Sequence, residues 1–204
     1  MENNNRNEIE KVLTKLGIEQ LNVISDILRI ENLNELEKRY TLSFPKEYKE
    51  FILSFDEIFF ENEIEFKPIK PSPLTTHEGK QYFDGFYGLN SLSEQIECYE
   101  SRIPNCLIPI GECPGGNLIC LGVKEVALGK IYFWNHENEL RAKLLVGEDE
   151  PIDDINLYWS NLHLVADTFM DFLNKLEINQ DNVEDGDIDV DDVELWLDDD
   201  LLDN

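Results

Sequence analysis

Residues 107–134 constrain the fold more than any other stretch, because they contain three short apolar runs separated by turn residues. The runs, at 107–110, 117–122 and 130–134, are rich in aliphatic and aromatic residues and are bounded by Gly or Pro, which is typical of strands. A Pro-Gly-Gly sequence at 114–116 favours a tight turn between the first two runs, since Pro presets φ and Gly accepts positive φ. The segment therefore predicts a sheet meander that the rest of the chain covers.

Apolar periodicity predicts the elements on either side of this meander. The predicted helices are residues 8–16, residues 21–30, a helix with Asn32 as its N-cap, a helix that begins at Pro45, a short helix that begins at Ser91, and residues 160–176. The predicted strands outside the meander are residues 56–66, 82–89 and 140–146. The helix that follows Pro45 carries four apolar residues on one face, and these are expected in the core: Tyr48, Phe51, Ile52 and Phe55.

The chain length of 204 residues and the hydrophobic content of 42% predict one main domain with appendages. We expect a helical extension at residues 1–31, the main domain at 32–176 and an acidic tail at 177–204. Three prolines within residues 67–73 exclude that stretch from a central strand and predict a loop. The tail holds 13 acids and no basic residue, so we expect residues 185–194 to be extended.

The net charge of −27 is the most unusual property of the composition. Of the 44 acids, 20 lie in residues 144–204, where Lys175 is the only basic residue, so this stretch carries a charge of −19. A field of that sign repels nucleic acid and anionic membranes and favours a basic partner surface. We therefore expect a protein partner, with no nucleic acid and no membrane.

The N-terminal sequence lacks the basic and then apolar pattern of a signal peptide. No run of about 18 apolar residues occurs in the chain. These two observations predict an intracellular, cytoplasmic protein.

Cysteine and histidine patterns favour neither a metal centre nor catalysis. The cysteines show no C-x-x-C spacing and are expected to be reduced structural thiols: Cys98, Cys106, Cys113 and Cys120. His136 and Glu137 form the pair that best supports an enzymatic hypothesis, in which the acid orients a general base. A turn or strand-end role is favoured for this pair, because adjacent residues on a strand point to opposite faces. We predict no enzymatic activity, no cofactor and no bound metal.

One segment of the tail partly matches a calcium-binding loop. Residues 181–192 place acids at loop positions 1, 5, 9 and 12 and Gly at position 6, as an EF-hand loop does. Val183 occupies position 3, where an oxygen ligand belongs, and position 12 is Asp instead of Glu, so a solvated acidic tail is favoured. The ligands of the calcium alternative would be Asp181, Asp185, Asp187, Asp189 and Asp192.

Five short motifs follow one another in order over residues 32–176. The first motif is Leu36-Glu37 with Tyr40, followed by Phe44-Pro45-x-x-Tyr48-Lys49-x-Phe51-Ile52. The second is residues 85–89, which precede a predicted helix, and the third is residues 107–111 together with Gly115-Gly116-Asn117-x-Ile119-Cys120-Leu121. The fourth is residues 131–134 with His136-Glu137, and the fifth is Val165-Ala166-Asp167-x-Phe169-x-x-Phe172-Leu173. Together they resemble the SUKH superfamily, also called the Smi/Knr cell-wall-regulator family. The chain departs from the family at Phe55-Asp56-Glu57, where Asn-Gly-Gly is frequent, and residues 1–31 and the tail lie outside the resemblance.

The resemblance implies an α+β domain with a largely antiparallel sheet flanked by helices. Bacterial members are mostly immunity proteins that bind and block toxins delivered between competing cells, many of them nucleases, whereas eukaryotic members are regulatory binding proteins. We therefore expect a non-enzymatic immunity protein. An intracellular regulatory or scaffold domain without a toxin partner is the alternative.

Acidic residues are the candidate contact sites for such a toxin. Nuclease active sites are basic because they hold phosphates, so an acidic surface can compete for the same Lys and Arg groups and exclude the substrate. The first set of expected contacts is Glu148, Asp149, Glu150, Asp153 and Asp154. The second set, in the tail, is Asp187, Asp189, Asp191 and Asp192.

Overall fold

A seven-stranded sheet forms the centre of the part of the chain that the computed structural model describes, residues 2–18, 27–147 and 154–180. The strands are β1 (Ile58–Phe66), β2 (Gln81–Phe86), β3 (Leu107–Cys113), β4 (Asn117–Gly122), β5 (Ile131–Trp134), β6 (Leu162–Ala166) and β7 (Glu177–Ile178). Their order in the sheet is β6-β5-β4-β3-β2-β1-β7, and every neighbouring pair is antiparallel.

Six α-helices lie within the same described ranges. They are α1 (Glu2–Lys15), α2 (Ile27–Arg39), α3 (Lys46–Ser54), α4 (Leu89–Tyr99), α5 (Leu140–Leu145) and α6 (Phe169–Leu173). Helix α1 packs against α3 and α6 and buries Ile9, Leu13 and Leu16. The α+β class with an antiparallel sheet and flanking helices is therefore confirmed, while the division of the chain at residues 31 and 176 stays a prediction.

The predicted meander is formed by β3, β4 and β5. The turn at 114–116 is a single 3₁₀ turn, in which Gly115 and Gly116 have φ values of 78° and 75°. Within β3, a Cβ on Gly111 would lie 2.4 Å from the carbonyl oxygen of Gly85 on the neighbouring strand. Both features need glycine, the first for positive φ and the second for close backbone approach.

The sheet is strongly curled. This is shown by the segment that follows β1, which reaches β6 at the far edge of the sheet. The amides of Ile69 and Lys70 donate to the carbonyls of Val165 and Leu164 on β6, at 3.2 and 2.8 Å. Only two residues lie between Phe66, the end of β1, and Ile69, so their Cα atoms are at most about 11 Å apart. The proline-rich loop predicted at 67–73 therefore covers the outer edge of β6, where an exposed strand would invite pairing with another chain.

The main core is an aromatic cluster between the sheet and helices α3 and α6. The four residues expected in the core after Pro45 are all buried: Tyr48, Phe51, Ile52 and Phe55. Phe169 of α6 packs its ring 5.1 Å from Phe51 and 5.2 Å from Tyr48, measured between centroids. A smaller cluster on the other side of the sheet contains Leu118, Cys120 and Trp134.

The prediction of one helix over residues 160–176 was wrong. The chain instead forms strand β6, then an extended Thr168 that caps α6 by accepting a hydrogen bond from the amide of Asp171 at 3.0 Å. The apolar spacing fits one continuous helix, but the free edge of β5 pairs with residues 162–166. Long-range pairing has therefore overridden the local periodicity.

The prediction of a strand at residues 140–146 was also wrong, because this stretch forms helix α5. Both edges of β5 are already occupied, by β4 and β6, so no neighbouring strand is available to satisfy an extended backbone there. The helix satisfies its own amides, with Lys143 donating to Glu139 and Val146 to Ala142. Two helix starts also differ from those expected: α2 begins at Ile27 rather than after Asn32, and α4 begins at Leu89 rather than at Ser91.

Helix α2 ends in a conformation that normally favours glycine. Thr41 has a φ of 51°, and the amides of Leu42 and Thr41 donate back to the carbonyls of Glu37 and Lys38, which is the Schellman pattern. A β-branched residue is strained at positive φ. We expect Thr41→Gly to raise the free energy of unfolding by about 1 kcal/mol, measured by urea denaturation.

Thr41→Ala is the control for this substitution, because it keeps the Cβ atom that causes the strain. Thr41 is exposed, so neither change creates a cavity. A gain for the alanine variant as large as that for the glycine variant would contradict the explanation by backbone strain.

Candidate functional site

A pocket of about 290 Å³ opens beside the 3₁₀ turn that joins β3 to β4. We call it the turn pocket. Its walls come from β2, the turn, β4, β5 and the 3₁₀ turn His136–Asn138: Gln81, Tyr82, Pro114, Asn117, Phe133 and Glu137. Two of the family-like motifs, Gly115-Gly116-Asn117 and His136-Glu137, therefore meet at one place in the fold.

Buried asparagines fix the geometry of the pocket wall. The Asn117 side chain donates from Nδ2 to the carbonyl of Pro114 at 2.6 Å, and its Oδ1 accepts from the amide of His136 at 3.0 Å. Asn135 is also buried, and its Oδ1 accepts from the amide of Glu137 at 3.0 Å, which caps the 3₁₀ turn. These bonds fix the position of the β3–β4 turn relative to the turn after β5, which carries Glu137.

Gln81 is among the residues that line this pocket, and its side chain is buried. The residue is 3% exposed, and its Nε2 donates to Ser72 Oγ at 2.7 Å. Its Oε1 is buried and has no hydrogen-bond partner in the part of the chain that the structure describes.

Glu137 provides a negative charge at the same pocket. Its side chain is exposed, and no ion pair to it occurs among residues 5–18, 27–147 and 154–180. The ring of His136 packs edge-on against Trp134 at 5.9 Å, and within these same ranges no hydrogen bond joins it to Glu137. His136 and Glu137 therefore lie in a 3₁₀ turn directly after β5, which is the turn role that the sequence favours for this pair.

Two further acids lie on neighbouring strands of the sheet. Asp84 lies on β2 next to Gly85, and Gly85 pairs with Glu112 on β3. The side chains of Asp84 and Glu112 are both exposed. Partial burial raises the pKa of Asp84, and the charge of Glu112 raises it further. Glu112 Oε1 accepts a hydrogen bond from the hydroxyl of buried Tyr87 at 2.9 Å, which fixes the carboxylate. Neither acid has a basic partner among the described residues.

Of the acids predicted to contact a toxin, Asp154 lies within the described residues. It is exposed, and its Oδ1 accepts from the backbone amide of Asn156 at 2.9 Å, so it caps the 3₁₀ turn Ile155–Leu157. The others lie outside the described ranges and stay predictions: Glu148, Asp149, Glu150, Asp153, Asp187, Asp189, Asp191 and Asp192. The calcium ligands considered above, which include Asp181 and Asp185, lie outside them as well.

Three of the four cysteines are buried, Cys106, Cys113 and Cys120, and all four are free thiols. Burial raises the pKa of each buried thiol, so these groups stay protonated and pack as small apolar side chains. Within the described ranges, no group of three or more His, Cys, Asp or Glu residues is arranged to hold a metal ion. No helix in those ranges is both long enough and apolar enough to cross a membrane.

The fold and the site together define an α+β domain with a polar pocket at the turn end of its meander. The model of the SMI1/KNR4 family (SUKH-1) matches residues 28–175, and the chain belongs to this family. The resemblance seen in the sequence motifs is thereby confirmed. A relative, the SPbeta prophage-derived uncharacterized protein YokK of Bacillus subtilis (strain 168), is 32% identical over 189 residues, which cover 84% of this chain and 85% of that protein.

Proposed function

We propose that this protein is a non-enzymatic immunity protein that binds a basic toxin, of the nuclease type, and blocks its active site. Membership of a family that includes toxin immunity proteins is the observation that carries the proposal. The net charge of −27 supports a basic partner, since a strongly acidic protein attracts clustered Lys and Arg residues.

The proposed mechanism is electrostatic occlusion. The acidic segment around Glu148 and Asp154 contacts the basic active site, and the acids of the 177–204 tail form a second contact set. Long-range attraction speeds the encounter, and the bound acids then occupy the groups that would hold the phosphates of the substrate. The uncompensated pair Asp84 and Glu112 adds to the same negative field.

The experiment combines a survival assay with measured association rates, and it uses the product of the gene adjacent to that of this protein as the candidate toxin. Cells that express the toxin are expected to survive when the wild-type protein is co-expressed. Neutralising five acids should slow association by about tenfold at low salt, with a smaller effect at high salt because ions screen the attraction. The five acids are Glu148, Asp149, Glu150, Asp153 and Asp154.

A variant with the same change of charge at five other exposed positions is the control. The control positions are Glu8, Glu31, Glu35, Glu61 and Glu94. Equal slowing of association in both variants would overturn the assignment of the contact to the 148–154 segment. It would show that the net charge of the whole protein alone sets the association rate. Absence of both binding and protection by the wild-type protein would overturn the immunity proposal and favour the regulatory alternative.

A further inference from the structure

We infer that a groove between helices α2 and α4 binds residues 193–202 of this same chain. The groove has a volume of about 300 Å³ and lies where the ends of these two helices meet the start of β3. We call it the α2–α4 groove. The inference goes beyond the proposed function and does not depend on it, since residues 193–202 are not among the acids expected to contact a toxin. The floor of the groove is apolar and is formed by Ile96, Ile103, Leu107 and Ile108.

The groove is open to solvent at its rim and along its walls. Leu42 and Tyr99 form walls that are only half-buried, so an entering side chain would cover apolar surface that now meets water. The rim residues are exposed, and they are Arg39, Thr41, Glu100 and Asn105. The shape and composition are therefore those of a docking site with an apolar centre and a polar rim.

The groove also presents a cation that lacks a carboxylate partner. Lys124 lines it, and its Nζ donates to the carbonyl of Tyr40 at 3.1 Å. No ion pair to Lys124 occurs among residues 2–18, 27–147 and 154–180, so two of its three N–H donors are available to an acid. The described lining holds two cations, Arg39 and Lys124, and one acid, Glu100, so its formal charge is +1 in a chain of net charge −27. An apolar segment that carries acids therefore complements this groove.

Residues 193–202 have this composition, with six apolar residues, four acids and no base. Trp196 is the expected anchor, because tryptophan is enriched among the side chains that fill the central pocket of an interface. Its ring can also lie against the ammonium of Lys124, which is a favourable cation–π contact. Glu194 and Asp198 stand two residues on either side of this anchor and carry the carboxylates for the basic side chains of the groove.

The chain is long enough to bring this segment to the groove. The described structure ends beside β1, where the amide of Asn179 donates to the carbonyl of Glu63 at 2.8 Å. Leu107 in the groove lies three strand spacings away, about 14 Å, and about six residues further along the strands, about 20 Å. The distance along the sheet is thus about 25 Å, whereas residues 181–192 can span about 40 Å when extended.

A nitroxide spin label on Cys98 tests the contact in the full-length protein. Cys98 lies on α4 between Ile96 and Tyr99, which both line the groove, and its thiol is exposed. Burial raises the pKa of the other three thiols, which slows their reaction with the labelling reagent. The nitroxide broadens the NMR signals of nearby nuclei, so we expect the amide signals of residues 193–202 to lose most of their intensity and to recover it when the label is reduced. The amides of residues 181–186 should keep more of theirs.

Two variants and two controls make the test specific. Trp196→Ser should lower the equilibrium constant for docking about thirtyfold, as loss of an anchor side chain does at an interface. Lys124→Gln should lower it about threefold, the scale of an ion pair near the surface. Lys11→Gln makes the same change of charge on α1, and Val126→Ser changes an apolar residue that is 83% exposed on the turn beside Lys124. Neither control should alter the broadening.

A second measurement omits the spin label and so excludes an effect of the label itself. In the unlabelled protein, Trp196→Ser should shift the amide signals of Leu42 and Asn105, because the ring leaves the groove. The amide signals of strands β3, β4 and β5 should stay in place, which shows that the variant is folded.

Three results would overturn the inference. They are an absence of broadening at residues 193–202 in the wild type, equal broadening in the Trp196→Ser variant, and unchanged signals of Leu42 and Asn105 in that variant. A mixture of spin-labelled protein with isotope-labelled protein that carries no spin label identifies which molecule supplies the segment. Broadening in this mixture would overturn the assignment to the same chain, since the groove would then bind the tail of a second copy.

Discussion

Replacing Phe169 with alanine is expected to lower the free energy of unfolding by about 3–5 kcal/mol, the usual cost of removing a buried aromatic ring. Phe169 is 1% exposed and lies in the five-residue helix α6. Its ring meets those of Tyr48, Phe51 and Phe86 at centroid distances of 5.2, 5.1 and 5.9 Å. A helix this short has little stability of its own, so the contacts of this ring are what hold it on the sheet.

Urea denaturation of the wild type and the variant measures this effect. Phe59→Ala is the matched control, because Phe59 is 58% exposed on β1 and its removal should change stability by no more than about 0.5 kcal/mol. Similar losses for the two variants would show that the core does not depend on α6. A loss at Phe169 well below 2 kcal/mol would mean that neighbouring side chains collapse into the space that the ring leaves.

Local sequence signals predict this core well, because its main elements are strongly periodic. The aromatic face after Pro45 and the Gly- and Pro-bounded runs of the meander identify helix α3 and strands β3, β4 and β5. The failures lie at residues 140–146 and 160–176, where the choice between helix and strand depends on which edge of β5 is free. Which edge is free depends on pairing between distant parts of the chain, and a short stretch of sequence does not contain this information.

The candidate site was only partly predictable for a related reason. Sequence motifs indicate the β3–β4 turn and the His136-Glu137 pair, both of which border the pocket. Gln81 carries no comparable signal, since it stands one residue before a predicted strand and matches no motif. It is distinguished by burial and by the absence of a partner for Oε1 among the described residues, and both depend on the positions of all surrounding groups. A buried, half-satisfied amide is therefore found only in three dimensions.

Replacing Arg29 with alanine should also destabilise the fold strongly, by about 3 kcal/mol. Arg29 lies on α2 with 7% of its surface exposed, and its Nη2 donates to the carbonyls of Ile52 and Phe55 at 2.8 and 2.9 Å. These carbonyls lie at the C-terminal end of α3, where no further turn of helix supplies amide donors. The positive charge also meets the negative end of the helix dipole, so one side chain both caps α3 and joins it to α2.

Arg39→Ala is the control on the same helix, because the Arg39 side chain is 62% exposed and pairs with Glu97 at the surface. Its loss should cost less than about 1 kcal/mol, as exposed ion pairs do. Arg29→Lys should recover only part of the stability, since an ammonium is more strongly hydrated than a guanidinium and costs more to bury. Chemical denaturation of the three variants gives the comparison. If Arg29→Ala costs no more than Arg39→Ala, water satisfies the end of α3, and the buried arginine does not act as its cap.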